Sequence, residues 1–290
     1  MNRIGISIKP NDERACALLG DLHRWLNDKG CTVFIDHGLE SCIPSSVACE
    51  RMPVSEMPAH VELMIVLGGD GTLLHAARDF IGTQTPILGI NLGRLGFLTD
   101  TPIGSMFEVV EEILAGNLKT KRHFSLFAEV WRNDEIVASG KAMNDVVIER
   151  SIHPRMIGFE MYVKGQFVFR MRGDGLILAT PAGSTAYALS AGGPIVHPEV
   201  NAVAVVPVCP HTLSNRPIIV PADDEIELRL VELPLCAAVN LDGIELLALE
   251  QGDRVVVRKG DDISLVYLPE RHYYEVLRSK LNWAGQLETN

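Results

Sequence analysis

The sequence predicts an α/β N-terminal domain built on a parallel sheet, followed by a β-rich, sandwich-like C-terminal domain. Three features predict it. Unbroken apolar runs at 63–67 and 86–90 alternate with helix-spaced segments up to residue 120, the pattern of strands buried on both faces of a parallel sheet. Short strand patterns separated by turns fill 121–268. The closing segment, 269–290, returns to helix.

Residues 3–9 read as a short strand, and Pro10-Asn11-Asp12 supplies a stop and a helix cap. Ala15, Leu18, Leu19, Leu22, Trp25 and Leu26 recur at helical spacing, with Gly30 placed to end that helix. A second strand is expected at 32–35. The Ser-, Pro- and Met-rich stretch 36–60 is expected as loop with one short helix. Strand 63–67 leads into Gly68-Gly69-Asp70-Gly71-Thr72, and 73–81 then reads as helix. Strand 86–90 and an amphipathic helix over 102–114, opened by Pro102 and closed by Gly116, complete the first domain. In the second, strands are expected at 125–132, 136–139, 145–149, 159–163, 167–172, 202–208, 225–231, 237–241, 254–259 and 263–267. Lys164-Gly165-Gln166 is one of the turns. Tyr273, Val276, Leu277 and Leu281 share a face of the last helix.

Composition narrows the function classes. A hydrophobic fraction of 47% and a charged fraction of 22% are those of an ordinary globular chain. A net charge of -11 argues against a nucleic-acid partner, because phosphate neutralisation needs a basic surface. The first residues alternate in polarity and no apolar run is long enough to span a bilayer, so neither a secretory signal nor a membrane partner is expected. Cys16, Cys31, Cys42, Cys49, Cys209 and Cys236 are scattered without zinc spacing and are expected as free thiols in a cytoplasmic protein. The histidines lack ligand spacing too, so no metal-binding side chains are expected.

Several motifs could carry chemistry. Gly68, Gly69, Gly71 and Thr72 lie where a buried strand opens into a helix, and there backbone N–H groups can approach a phosphate closely. Asp70 within that turn would repel a phosphate, yet suits a base for a hydroxyl or a metal contact. The plain alternative is a tight turn with Asp70 as a helix cap. Asp174, in a second glycine turn, leads to an apolar strand and then Thr180-Pro181-Ala182-Gly183-Ser184-Thr185-Ala186-Tyr187, small residues on which a flat ligand can lie with Tyr187 as a stacking face. Asn144-Asp145 can both donate to and accept from sugar hydroxyls, or can form an Asx turn. Arg155, Arg170 and Arg172 are candidate diphosphate contacts or solvated surface charges. The common Gly-Lys-Ser/Thr phosphate loop and the Gly-x-Gly-x-x-Gly fingerprint are absent.

Gly68-Gly69-Asp70-Gly71-Thr72, Asn91-Leu92-Gly93-Arg94-Leu95-Gly96-Phe97-Leu98, Asn144-Asp145 and the run from Asp174 to Pro194, in this order, resemble the bacterial NAD kinases over nearly the whole chain. The first element is shared with lipid kinases; the Thr-Pro-x-Gly-Ser-Thr-Ala-Tyr run is far more specific. The resemblance implies transfer of the γ-phosphate of ATP to the 2′-hydroxyl of the adenosine ribose of NAD, with Asp70 as proton acceptor. It implies that Asp70, Gly71, Asn144, Asp145, Arg155, Arg172, Asp174, Thr185, Ala186, Tyr187, Ala188, Leu189 and Ser190 bind NAD. Phe97 is expected near the ligand. It further implies magnesium accompanying ATP, a final helix packed back on the first domain, and a homo-oligomer, dimer or tetramer. Asp145 stands where many members have Glu, a shortening expected to keep the charge. Ala182 replaces a frequent hydroxyl residue, and Ile244 after Asp242-Gly243 replaces a frequent Gln. The rival readings are a lipid kinase of the same superfamily and a non-catalytic dinucleotide sensor.

Overall fold

The structure, a computed structural model, describes residues 1–9, 11–39, 42–43, 49–93, 96–150, 156–212, 215–232, 237–268 and 272–283. The chain divides into two compact units, Met1–Arg122 with Ile263–Asn290, and His123–Asp262.

The first unit contains β1 (Arg3–Ile8), α1 (Glu13–Asp28), β2 (Thr32–Ile35), β3 (Glu50–Arg51), β4 (Leu63–Gly68), α2 (Asp70–Phe80), β5 (Ile87–Asn91), β6 (Thr101–Pro102) and α3 (Met106–Leu114). Its strands lie side by side as β3-β2-β1-β4-β5 and pair in parallel. Every residue of β4 and β5 is buried, which is why neither alternates in sequence. Asp12 caps α1 through its carboxylate, which accepts from the N–H groups of Arg14 and Ala15. Ala15, Leu19, Leu22 and Leu26 then pack with Ile4, Ile6 and Ile65 of the sheet. The strand order reverses between β1 and β4. Such a reversal opens a crevice at the carboxyl ends of the two strands, the usual ligand position in open α/β sheets.

Three local expectations change. Helix α2 begins at Asp70 with Gly69 as N-cap, three residues earlier than its apolar spacing showed, because glycines carry no periodic signal. The helix expected over 102–114 opens as a 3-10 turn, Ile103–Ser105, and is α-helical from Met106. Cys16 and Cys42, expected as free thiols, are joined in a disulfide; the fold brings their Cα atoms to 4.8 Å across 26 residues, a proximity that spacing cannot show. Cys31, Cys49 and Cys209 are free.

The second unit continues with β7 (Thr120–Arg132), β8 (Glu135–Ala142), β9 (Asp145–Arg150), β10 (Ile157–Val163), β11 (Gln166–Gly173), β12 (Gly175–Ala179), α4 (Tyr187–Ser190), β13 (Ala202–Val208), β14 (Ile218–Pro221), β15 (Ile226–Glu232), β16 (Ala237–Leu241), β17 (Ile244–Ala248) and β18 (Arg254–Val266). One sheet runs β14-β13-β12-β9-β16-β17 with antiparallel pairing throughout. A second set runs β11-β10-β15-β18, with β7 pairing both β18 and β8. Val146, Ile148, Leu176 and Leu178 from the first sheet share one core with Phe159, Met161, Leu228 and Val255 from the second, the layering of a sandwich. Asp242 and Gly243, at φ of 50° and 78°, form the two-residue turn joining β16 to β17.

The two strand patterns at 254–259 and 263–267 are one continuous strand, β18. Strands β14 and β17 went unread, since both are short and largely exposed. The end of β18, from Ile263 a part of the first unit, pairs in parallel with β5 through Leu265 and Ile87. Helix α5 (Tyr273–Leu281) follows, with Leu277 buried and Lys280 Nζ 5.8 Å from the Phe97 ring centre. Among the described residues no helix is long and apolar enough to cross a membrane.

Candidate functional site

Strand β4 delivers the glycine turn to the switch point. The first backbone donor used within α2 is the Leu73 N–H, which donates to the Gly69 carbonyl at 3.1 Å. The N–H groups of Asp70, Gly71 and Thr72 therefore stand at the helix start without intrahelical partners, a ready anion site. A Cβ at Gly69 or Gly71 would meet nothing within 4 Å, so the backbone there is open. Gly68 differs: a Cβ there would overlap the Thr72 side chain, so the turn itself requires that glycine. Beside the turn lies a cleft of about 940 Å³ lined by Ile8 at the end of β1, Asn11 beyond it, Asp36 after β2, and Gly71, Thr72 and His75 of α2.

Asp70 does not cap its own helix. Its Oδ1 accepts from the Leu98 N–H at 3.2 Å, the Thr99 N–H at 2.9 Å and the Thr99 hydroxyl at 2.9 Å. Among the described residues its Oδ2 accepts from the Phe97 N–H alone, at 2.8 Å. A carboxylate offers about four lone-pair sites, so the unused capacity lies on Oδ2. That oxygen can take a substrate hydroxyl without giving up its anchor.

The second unit holds the other predicted group. Asn144 and Asp145, just before and at the start of β9, are 6% and 5% exposed. The carboxylate of Asp242 accepts from the N–H groups of Met143, Asn144 and Asp145 at 2.8, 2.7 and 3.1 Å, pinning this corner. Asn144 Oδ1 is buried and has no hydrogen-bond partner among the described residues, which leaves it able to accept from a ligand. Burial, and then the charges of Asp242 and Glu149, push the Asp145 carboxyl up to about 7. The carboxyl therefore keeps its proton to higher pH than an ordinary aspartate. An aspartate raised on folding binds its proton more tightly in the folded state. Its contribution to stability therefore falls as pH rises from about 4, the unfolded value, toward 7, and is level above. Asp145→Asn is expected to gain melting temperature relative to the parent between pH 5 and pH 8. Parallel melting curves at both pH values would contradict this.

Asp174 is clamped by Arg150, Nε to Oδ1 at 2.6 Å and Nη2 to Oδ2 at 3.2 Å, and the guanidinium holds the carboxyl below the usual carboxylate range. The hydroxyl-rich run is spent partly on itself. Thr180 Oγ1 donates to the Met143 carbonyl at 2.8 Å, Ser184 Oγ to the Pro181 carbonyl at 2.6 Å, and Thr185 Oγ1 to the Ala182 carbonyl at 3.0 Å. Gly183 is needed because a Cβ would overlap the Asn144 carbonyl. Tyr187 is 41% exposed, and Ser190 is exposed beside it. Ala186 and Leu189 are half-buried. Ala188, expected against NAD, has its side chain fully buried among Val147, Ile177, Ala204 and Val206, because α4 uses it to sit on its sheet, which leaves its backbone as the part that could face a ligand. Arg172 is half exposed and paired with Glu232 at 3.0 Å. Arg155 lies outside the described residues. Among the described residues no three His, Cys, Asp or Glu side chains are grouped to hold a metal ion.

Comparison with known proteins decides the family. The profile of the ATP-NAD kinase N-terminal domain matches residues 4–118, and that of the C-terminal domain matches residues 143–267. The chain belongs to the NAD kinase family. It is 41% identical to the NAD kinase of Magnetococcus marinus over 292 aligned positions, covering 100% of this chain and 96% of the relative. It is 42% identical to that of Nitrosomonas europaea, covering 93% and 90%. Among solved structures, a yeast NADH kinase complexed with NADH matches with a TM-score of 0.92 and 26% identity, covering 100% of this chain and 90% of that one. The fold is shared as well with an NAD kinase from Archaeoglobus fulgidus in complex with ATP, at a TM-score of 0.74, 23% identity, and coverage of 97% and 98%.

Four residues of this NAD kinase family member escaped sequence reasoning. Thr99 and Gly96 stand against Asp70, Arg150 against Asp174, and Asp242 beneath Asn144. Asp242-Gly243 carried a readable signal, the Asp-Gly hairpin pair. Gly96 belongs to the 91–98 run that resembles the NAD kinases, with no role read for it, and Thr99 and Arg150 carried no signal.

Proposed function

We propose that the chain transfers the γ-phosphoryl group of ATP to the 2′-hydroxyl of the adenosine ribose of NAD, giving NADP. Membership of the NAD kinase family across both halves carries this reading. The geometry of Asp70 supports it: Oδ2 is open to accept from the hydroxyl while four protein donors fix the carboxylate. Phosphoryl transfer passes through a loose transition state, so aiming the hydroxyl counts for more than stripping its proton. NAD is assigned to Asn144, Asp145, Asp174, Thr185, Tyr187 and neighbouring residues of the second unit. Magnesium enters as the ATP complex and neutralises charge on the phosphates. We read the protein as a cytoplasmic homo-oligomer, dimer or tetramer, on family resemblance, and sedimentation of the purified chain tests the assembly.

The donor is assigned to the cleft at the switch point, its phosphates on the N–H groups of Asp70, Gly71 and Thr72. Asp36 follows β2 directly, the position at which nucleotide-binding sheets place a carboxylate for ribose hydroxyls. A hydrogen bond to a charged group contributes about 1.5–3 kcal/mol, so Asp36→Ala is expected to raise KM for ATP at least roughly tenfold. An unchanged KM removes Asp36 from the donor site.

Incubating the protein with Mg-ATP and NAD, or NADH, and measuring NADP(H) tests the whole reading. A dinucleotide sensor binds NAD without forming product. A lipid kinase phosphorylates diacylglycerol instead.

A further inference from the structure

Asn91 is the last residue of β5 and is 4% exposed. Its side-chain amide can point only one way. The Gly93 N–H, which can only donate, donates to Asn91 Oδ1 at 2.8 Å. The Thr99 carbonyl, which can only accept, accepts from Asn91 Nδ2 at 3.4 Å. The same Nδ2 donates to Thr99 Oγ1 at 2.8 Å. The Thr99 hydroxyl is thereby an acceptor toward Asn91, and its single hydrogen is left for Asp70 Oδ1 at 2.9 Å. Thr99 is fully buried, so it reaches a substrate only through Asp70.

We propose that Asn91 and Thr99 form a positioning relay, polarised from strand end to carboxylate, that saturates Oδ1 of Asp70 and leaves Oδ2 as the oxygen that meets the acceptor hydroxyl. The inference rests on the acceptor role assigned to Asp70. The backbone N–H groups of 97–99 would hold the carboxylate in place without the relay; the threonine hydroxyl fixes which oxygen remains open. Neither Asn91 nor Thr99 touches substrate. Both are positioning residues.

The test is steady-state kinetics on four variants of the full chain, with Mg-ATP and NAD varied separately. Thr99→Val removes the hydroxyl and keeps the backbone donor. A misplacement of this kind costs on the order of 10- to 100-fold, and the loss is expected in kcat with both KM values unchanged. Thr99→Ser restores most of the turnover. In the Asp70→Asn background, Thr99→Val costs nothing further, because the hydroxyl acts only through that carboxylate. Should Thr99→Val fail to fold, Asn91→Asp gives a second route. It keeps the shape, presents an acceptor to Thr99 Oγ1, draws the hydrogen away from Asp70, and is expected to lower kcat similarly. The relay is overturned by undiminished kcat in Thr99→Val or Asn91→Asp, by no recovery with serine, or by an equal loss in the Asp70→Asn background. Near-normal kcat in Asp70→Asn alone brings down the acceptor role itself, a different and recognisable failure.

Discussion

Asp70→Asn is expected to lower turnover by about 100- to 10,000-fold, the usual contribution of a positioned acid-base group, with little change in KM for NAD. The hydrogen bonds around the carboxylate explain why a nearly isosteric change is so costly. Three donors meet at Oδ1, from Leu98 N–H, Thr99 N–H and the Thr99 hydroxyl, so the asparagine carbonyl oxygen settles there. The amide nitrogen is then forced to the Oδ2 side. It faces the Phe97 N–H, donor against donor, and presents hydrogens where the ribose hydroxyl needs an acceptor. Fold and dinucleotide contacts are expected to survive while the proposed acceptor hydroxyl loses its guide. Single-turnover measurement of NADP formation, beside NAD binding by titration, checks the split. Equal losses in binding and turnover would mean Asp70 serves the ground state instead.

The second large effect is expected at a residue with no polar atoms in its side chain. A methyl group on Gly96 would overlap both the Asp70 carboxylate and the Thr99 hydroxyl, two groups already bound to one another. Gly96→Ala must therefore turn the carboxylate out of its cradle or push the 96–99 backbone away. Displacement of a catalytic group by about 1 Å costs on the order of 100-fold, and that loss is expected in kcat. The mutated atom lies against the side chain of one loop, so the melting temperature is expected to fall far less than for a core substitution. Circular dichroism melts paired with kinetics separate the outcomes. A variant with full activity would show that the loop yields freely and that the cradle around Asp70 is not rigid.

The two effects share a cause. Among the described residues, 97–99 supply every donor to a side chain 27 to 29 positions earlier in the chain. The sequence shows a glycine-rich stretch there, Gly93 to Gly96, and its likeness to the NAD kinases, but not its purpose. Along the chain Gly96 is simply one more glycine of the 91–98 run. Only the meeting of that loop with the start of α2 shows that the missing side chain is room for a carboxylate.

Much was legible in the chain itself. Buried parallel strands announce themselves by unbroken apolar runs, so β4 and β5 and the turn leading into α2 could be placed from residues alone. The Asp12 cap, the helical stripe of α1 and the change to short antiparallel strands are equally local, and local patterns report local geometry. The tertiary structure decided the rest. It joined Cys16 to Cys42, turned Ala188 into the core, raised the Asp145 carboxyl and paired Arg150 with Asp174. Each depends on which groups become neighbours after folding and how much water is taken from between them. Desolvation, electrostatic fields and long-range hydrogen bonds act through space, and spacing along the chain carries no record of them.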